Sequence, residues 1–322
     1  MNVQAYTVNF NDVVDARRRI EKYISLTPLD FSISLSSEKT KVYLKLESQQ
    51  KQKSYKVRGA LSKITALTEE EKEAGIYAIS SGNHGAAVSY AGYLLGIKTV
   101  KVFVPETAPA AKVEKIKYYG AEIVQVGGNY DETHSIAEEQ MEKLNMTYIH
   151  SGSEVQAIAG QGTVGLEIME QNPDTDVILV PIGGGGLITG VSIAAKHMNP
   201  SVKIIGVQTE ACPAMVKSLE DNVFYEYFPS EESICEALVG GVFDIPFRMA
   251  KECIDDILVV SEAEIRKATA RLLTEEKVVA EPSGAIGVAA LVNNSELFEN
   301  KNVAIVVSGG NIDKELMRQL IA

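Results

Sequence analysis

Val177-Ile178-Leu179-Val180-Pro181-Ile182 runs directly into Gly183-Gly184-Gly185-Gly186-Leu187 and then into a helical pattern ending near His197. An unbroken apolar run has no face to offer water, so it suits a strand buried on both sides, as in parallel sheets covered by helices. Val303-Ala304-Ile305-Val306-Val307 is a second such run. From Val42 onward strand and helix patterns alternate. Strands are expected over 42–46, 76–80, 99–104, 122–126, 147–150, 177–182, 203–208, 257–260 and 302–307. Helices are expected over 57–66, 84–95, 109–119, 131–144, 158–170, 187–198, 213–220, 262–274, 283–293 and 313–321. An earlier helix over 11–25 has Asn11 or Asp12 as its cap and Thr27-Pro28 as its end. This order predicts an α/β protein built on open, twisted, mainly parallel sheets. No repeat and no Gly/Ser/Pro-rich linker breaks the chain, so a second domain must be an insertion in the first.

In open α/β sheets, ligands bind beyond the C-terminal ends of the strands. The four glycines at 183–186 sit at such an end, where they cost chain entropy and let a phosphate approach backbone N–H groups at a helix N-terminus. No Gly-Lys-Ser/Thr follows, and Ile188 and Thr189 stand where a dinucleotide fingerprint needs glycine, so a phosphate monoester fits better than a pyrophosphate. The alternative is a glycine loop that permits close helix–sheet packing. Ser80-Ser81-Gly82-Asn83-His84-Gly85 follows the strand at 76–80; its helix N-terminus suits a carboxylate and Asn83 suits a ring hydroxyl, or the segment is simply an Asn-capped turn. Glu281, in Ala280-Glu281-Pro282-Ser283-Gly284, is placed to touch a ligand ring, unless the segment only caps a helix at Ser283. Ser308, in Ser308-Gly309-Gly310-Asn311, offers a neutral hydroxyl to a ring nitrogen, or marks a glycine turn.

The stretch these loops would serve is Ser54-Tyr55-Lys56-Val57-Arg58-Gly59-Ala60. Read alone, Lys56 opens a helix as a solvated lysine. Among aromatic and aliphatic neighbours, however, a neutral amine is a nucleophile towards a carbonyl. An amine, a phosphate cradle, a carboxylate-binding turn and donors for a heteroaromatic ring together match the needs of pyridoxal 5′-phosphate.

Composition narrows the classes further. The 322 residues are 45% hydrophobic and 23% charged, as in globular proteins of one or two domains. A net charge of −12 argues against a nucleic-acid partner. No run reaches membrane-span length and no signal peptide is visible. Cys212, Cys235 and Cys253 are odd in number and unpaired in spacing, which points to a reduced, cytoplasmic setting. His84, His134, His150 and His197 show no metal-ligand spacing, so no metal site is expected.

The successive stretches are similar to those of the fold-type II (tryptophan synthase β-like) pyridoxal-phosphate enzymes of the threonine/serine dehydratase and serine racemase group. Their motifs S-F-K-x-R-G-A, S-[AS]-G-N-H, G-G-G-G-[LM] and S-G-G-N-[VI]-D occur here as Ser54–Ala60, Ser80–His84, Gly183–Leu187 and Ser308–Asp313, and Ala159-Gly160-Gln161-Gly162-Thr163 also matches. The resemblance spans about Thr27 to Asp313. It implies that Lys56 carries the cofactor and then acts as base at the substrate α-carbon. It also implies that Asn83 binds the ring hydroxyl, that Gly183, Gly184, Gly185, Gly186 and Leu187 hold the phosphate, and that Ser308 faces the ring nitrogen. Ser81, Gly82, Asn83 and His84 would grip the substrate carboxylate. A smaller, mobile domain over 67–154 would be inserted in a large one of 1–66 and 155–322. The implied reaction is β-elimination from L-threonine or L-serine to a 2-oxo acid and ammonia, in a homodimer or homotetramer.

Four departures bear on the outcome. Tyr55 replaces phenylalanine. Ser81 stands where many dehydratases have alanine, and in the racemases that serine is the acid/base on the opposite face of the α-carbon. His134 stands where relatives often place a substrate-holding arginine. Gln208 and Ala214 occupy the positions of the racemases' cation ligands, with Glu210 out of register. Serine racemisation, or elimination from another β-hydroxy amino acid such as 3-hydroxyaspartate or a hydroxyectoine-derived compound, is therefore the competing reading; a silent binding protein on the same fold is disfavoured by an intact Lys56. Nothing in the sequence corresponds to the regulatory C-terminal domain of the biosynthetic dehydratases, so insensitivity to isoleucine is expected.

Overall fold

The computed structural model describes residues 7–128, 130–141 and 145–322. The chain opens with α1 (Phe10–Ile20), β1 (Leu29–Phe31), β2 (Lys41–Leu46) and α2 (Lys56–Thr65). It continues through α3 (Glu69–Ala74), β3 (Ile76–Ile79), α4 (Asn83–Leu94), β4 (Val100–Val104), α5 (Ala110–Lys117), β5 (Glu122–Gln125), α6 (Tyr130–Met141), β6 (Thr147–Tyr148) and α7 (Val155–Gln171). The remainder is β7 (Val177–Pro181), α8 (Gly186–Met198), β8 (Lys203–Thr209), α9 (Ala214–Asp221), α10 (Asp244–Cys253), β9 (Asp256–Val260), α11 (Glu262–Thr274), α12 (Pro282–Asn293), β10 (Asn302–Val307) and α13 (Lys314–Ile321).

Two sheets result. The larger has the order β1-β2-β10-β7-β8-β9, parallel throughout except for β1, and the smaller has the order β5-β4-β3-β6, all parallel. The apolar runs behave as their composition requires. Val177 and Leu179 of β7, with Val303, Ile305 and Val307 of β10, face one core that includes Ile286 and Val288 of α12. Ile178 and Val180, with Ala304 and Val306, face a second core with Ile188 and Val191 of α8. The smaller sheet packs α2, α4 and α5 on one face, and on the other Tyr77 and Phe103 pack with Ala137 of α6.

Several elements correct the sequence reading. Helix α1 is capped by Asn9, not Asn11 or Asp12, through a reciprocal box with Asp12, and it stops at Ile20, well before Pro28. β1, α3 and α10 have no counterpart among the expected elements. The expected helix over 131–144 appears as α6, but 142–144 and the Asp131 side chain fall outside the described residues.

A buried ion cluster ties the start of α2 to the larger sheet. Arg58 uses all five of its N–H donors: Nε and Nη2 reach Glu47 at 2.8 Å, Nη1 and Nη2 reach Glu167 at 2.7 and 2.8 Å, and Nη1 also reaches Thr163 Oγ1 at 3.0 Å. Lys45 Nζ donates to Glu167 Oε2 at 2.7 Å and to the Thr27 carbonyl at 2.7 Å. All four charged side chains are buried. Burial alone would push the Glu167 carboxyl up, but Arg58 and Lys45 hold it below the ordinary range. The two cations and two carboxylates balance, and the cluster fixes α2 two residues beyond Lys56.

Candidate active site

Lys56 is the first residue of α2, and the turn delivering it is unusual. Gln52 and Lys53 are both left-handed, at φ 60° and 59°. Such conformations are costly for residues with a Cβ and persist only where neighbours hold them. Here Gly310 N–H donates to Lys53 O at 2.8 Å, Tyr55 N–H donates to Ser308 O at 3.1 Å, and Ser54 bridges Gly309. The Lys56 heptad and the Ser308 loop are thus stitched together by backbone. The Lys56 ammonium lies over the Tyr55 ring, 5.2 Å from its centroid, and donates to Ser151 O at 3.1 Å.

Ser151 and Gly152 connect Lys56 to the glycine loop. Gln161 Nε2 donates to the same Ser151 carbonyl at 2.9 Å, while its Oε1 is buried without a partner. A Cβ on Gly186 would stand 2.8 Å from that oxygen and 2.9 Å from Gly152 Cα. His150 fixes this strip, its Nδ1 accepting from Gly152 N–H at 3.1 Å and Ser153 N–H at 2.9 Å. The glycine loop needs its glycines for two reasons. Gly185 is left-handed at φ 95°, where a Cβ would also meet Pro246 at 2.7 Å, and a Cβ on Gly183 would crowd Leu238 Cα at 3.1 Å. Tight packing and a turn into α8 therefore coexist, and the first-turn N–H groups of α8, including that of buried Leu187, have no intrahelical acceptor.

On the opposite side, α4 begins at Asn83 with Gly82 as its N-cap and no side-chain cap. The Asn83 amide is thereby left for the site: Nδ2 donates to Glu281 Oε1 at 2.7 Å and Oδ1 accepts from Asn311 Nδ2 at 2.6 Å. Asn311 N–H donates to the other Glu281 oxygen at 3.1 Å. Burial raises the Glu281 carboxyl above its ordinary range despite these donors. Glu281 is also the N-cap of α12, so the expected cap at Ser283 moves back two positions. Ser81 and Gly82 are half-buried at the α4 entrance. The Ser308 hydroxyl is buried, 3.5 Å from Ser283 O.

The histidines divide by environment. His84 is buried, bonded through Nε2 to Ile149 O at 2.7 Å, and pulled down to about 3 by burial and by Lys56. It is neutral, and its imidazole is committed to that strand end. Burial, Lys56 and His134 pull His150 down to about 4. His134, on α6, lies 3.6 Å from Glu138. Gln208 is committed to backbone, its Oε1 accepting from Met215 and Val216 N–H at 3.1 Å.

The structure therefore brings Lys56, Asn83, Glu281, Ser308 and the glycine turn together. An amine, an amide, a carboxylate, a hydroxyl and helix N-terminal N–H groups are the functional groups that a phosphorylated carbonyl cofactor needs in an α/β enzyme. The matching family model, pyridoxal-phosphate dependent enzyme, covers residues 20–309. An L-threonine ammonia-lyase of Thermotoga maritima is 41% identical over 317 residues, spanning 98% of this chain and 78% of that protein. A catabolic L-threonine dehydratase of Staphylococcus aureus is 39% identical over 96% of this chain and 90% of its own length. Maize serine racemase superposes with a TM-score of 0.92 at 34% identity, covering 98% and 97% of the two chains. The chain belongs to the family of pyridoxal-phosphate-dependent enzymes of fold type II.

The residues fit that cofactor: an amine at a helix start, N–H donors at a glycine turn, the orphaned Gln161 oxygen beside it and a neutral hydroxyl at Ser308. Sequence reasoning missed His150, Ser151 and Phe243, whose N–H donates to Gly184 O at 2.9 Å. It also gave no role to Asn311 or Lys115. Only Asn311 carried a signal, as the last residue of a loop already singled out.

Proposed function

We infer that this chain is a lyase converting L-threonine, and L-serine, to 2-oxobutanoate or pyruvate with release of ammonia. The observation that carries the reading is the placement of the Lys56 amine between the glycine turn at α8 and the Ser308 loop, in a chain about two-fifths identical to threonine ammonia-lyases. When bound, pyridoxal phosphate would supply a carbonyl carbon to the substrate amino group and a ring that delocalises charge from the α-carbon. The chain's own groups do the rest. Gly183–Leu187 and the α8 N-terminus hold the phosphate, Asn83 holds the ring hydroxyl with Glu281 behind it, and Ser308 offers a neutral hydroxyl to the ring nitrogen. The N–H groups of Ser81–His84 at the start of α4 grip the substrate carboxylate, and His134 lines the substrate side. Lys56, as a neutral amine, would remove the α-proton, and the β-hydroxyl would leave with a proton as water. Hydrolysis then returns one water, so the net products are the 2-oxo acid and ammonia.

The smaller unit, residues 67–154, closes over the substrate against 1–66 and 155–322; the separate four-stranded sheet β5-β4-β3-β6, all of whose strands fall within 67–154, supports this division. Three free, buried cysteines support a cytoplasmic setting, and exposed Leu26, Phe31 and Ile33 around the edge strand β1 support a homodimer or homotetramer. A panel of β-hydroxy amino acids, followed for both 2-oxo acid and D-amino acid, tests the function. Rapid 2-oxo acid release from L-threonine is expected, and its absence from every substrate by the reconstituted enzyme contradicts the reading. Ser81→Ala separates the racemase alternative: if D-serine formation is lost while elimination persists, Ser81 is the acid/base of a second activity.

A further inference from the structure

Lys115 lies in Lys112-Val113-Glu114-Lys115-Ile116-Lys117, a stretch that reads as an ordinary charged helix. In the fold, α5 carries it to the back of the site. Its Nζ donates to Asn311 Oδ1 at 2.6 Å and to Gln52 O at 3.3 Å. Asn311 Nδ2 donates to Gln52 O at 2.9 Å and to Asn83 Oδ1 at 2.6 Å, and Asn83 Nδ2 donates to Glu281 Oε1 at 2.7 Å. These contacts form one chain from the smaller sheet's helices to the turn before Lys56 and the N-cap of α12.

The direction of this chain has a cause. Either end of an asparagine amide can face a given neighbour, and the two ends differ only in donating or accepting. An ammonium donates and never accepts. Lys115, together with the accept-only Gln52 carbonyl that takes Asn311 Nδ2–H, therefore turns Asn311 Oδ1 towards the ammonium and leaves Asn311 Nδ2 facing Asn83. That in turn fixes Asn83 Oδ1 towards Asn311 and its Nδ2 towards Glu281. Glu281 alone does not fix this order, because a carboxyl whose burial favours protonation can donate as well as accept. The same ammonium, with Asn311, grips the carbonyl of left-handed Gln52, four residues before Lys56.

We propose that Lys115 is a positioning residue that orients the Asn311–Asn83 amide pair so that Asn83 presents its remaining Nδ2–H to the cofactor ring oxygen. The proposal rests on the assignment of Lys56 and Asn83 to the cofactor made above. The test uses full-length enzyme carrying Lys115→Met, Lys115→Arg, Asn311→Ala or the Lys115→Met/Asn311→Ala pair, and reads the cofactor dissociation constant, the holoenzyme absorbance band and the melting temperature without cofactor. Loss of one hydrogen bond to a charged group predicts about tenfold weaker cofactor binding in Lys115→Met. A displaced absorbance band and a cofactor-free melting temperature near wild type are expected with it. Lys115→Arg keeps a donor-only cation and should restore both affinity and band. The double variant should bind no more weakly than Asn311→Ala, because Lys115 acts through Asn311. Wild-type affinity and band in Lys115→Met, or additive losses in the double variant, overturn the proposal. So does a fall in cofactor-free melting temperature with the spectrum unmoved, which marks a merely structural lysine. A wild-type protein that takes up no cofactor instead refutes the parent reading, so the two failures are distinct.

Discussion

Glu167→Gln is the sharpest perturbation of the scaffold beneath Lys56. Glu167 accepts from Lys45 Nζ at 2.7 Å and from Arg58 Nη1 and Nη2 at 2.7 and 2.8 Å, and Arg17 Nη1 is 3.7 Å away. Glutamine preserves the shape but turns an amide donor against donors that cannot reverse. It leaves Lys45 and Arg58 with Glu47 as their only buried carboxylate, one positive charge in excess. Breaking a buried pair in this way costs about 3–5 kcal/mol, a large fraction of the about 5–15 kcal/mol by which domains are stable. Urea unfolding should show a lower midpoint at unchanged slope. Lys45→Met/Glu167→Gln restores charge balance and should recover at least about 1 kcal/mol of the loss, since neutralised buried pairs cost far less than broken ones. The acid limb gives a second reading. Glu167 is held below its unfolded value of about 4.3, so its contribution is complete above that pH and is lost as pH falls through the folded value. Glu167→Gln should remove that part of the acid dependence. A loss below about 1 kcal/mol, under the range for broken buried pairs, would refute the reasoning.

Other outcomes follow from the same geometry. His84 and His150 are held neutral, at about 3 and about 4, against about 6.5 when unfolded. The unfolded chain therefore binds more protons as pH falls below about 6.5, and stability should drop by about 1.4 kcal/mol per pH unit per histidine down to about pH 4; unfolding curves in which His84→Gln fails to flatten this slope would contradict the assignment. Gly185→Ala places a Cβ at φ 95° and 2.7 Å from Pro246, so it should cost more than about 1–2 kcal/mol and weaken cofactor retention on gel filtration. Cys235 and Cys253 are pushed up by burial, Cys253 to about 11, so alkylating reagents should label these thiols only after unfolding, as mass spectrometry would show.

The sheet was legible because its central strands are apolar on both faces, and β7 and β10 divide residue by residue between two cores. What was missed lacks such a signal. β1 is three residues on an exposed edge, Glu69–Ala74 has no apolar face, and α10 carries Pro246 in its first turn, where proline is tolerated but reads as a break. The start of α1 was misplaced because the box partner of Asp12 is Asn9, three residues upstream. At the site, residues whose side chains do the work stood out at strand ends. Ser151 did not, because it acts through a carbonyl that any residue supplies. Lys115 did not, because only the docking of α5 distinguishes it from Lys112 and Lys117.

The central claim is that Lys56 is the covalent anchor of the cofactor. Reducing the holoenzyme with borohydride freezes a lysine–cofactor imine as a stable amine, and peptide mass mapping then locates it. The account predicts one phosphopyridoxyl group, on Lys56, and none in Lys56→Ala. A label on another lysine, or no label on protein that has taken up the cofactor, would contradict it.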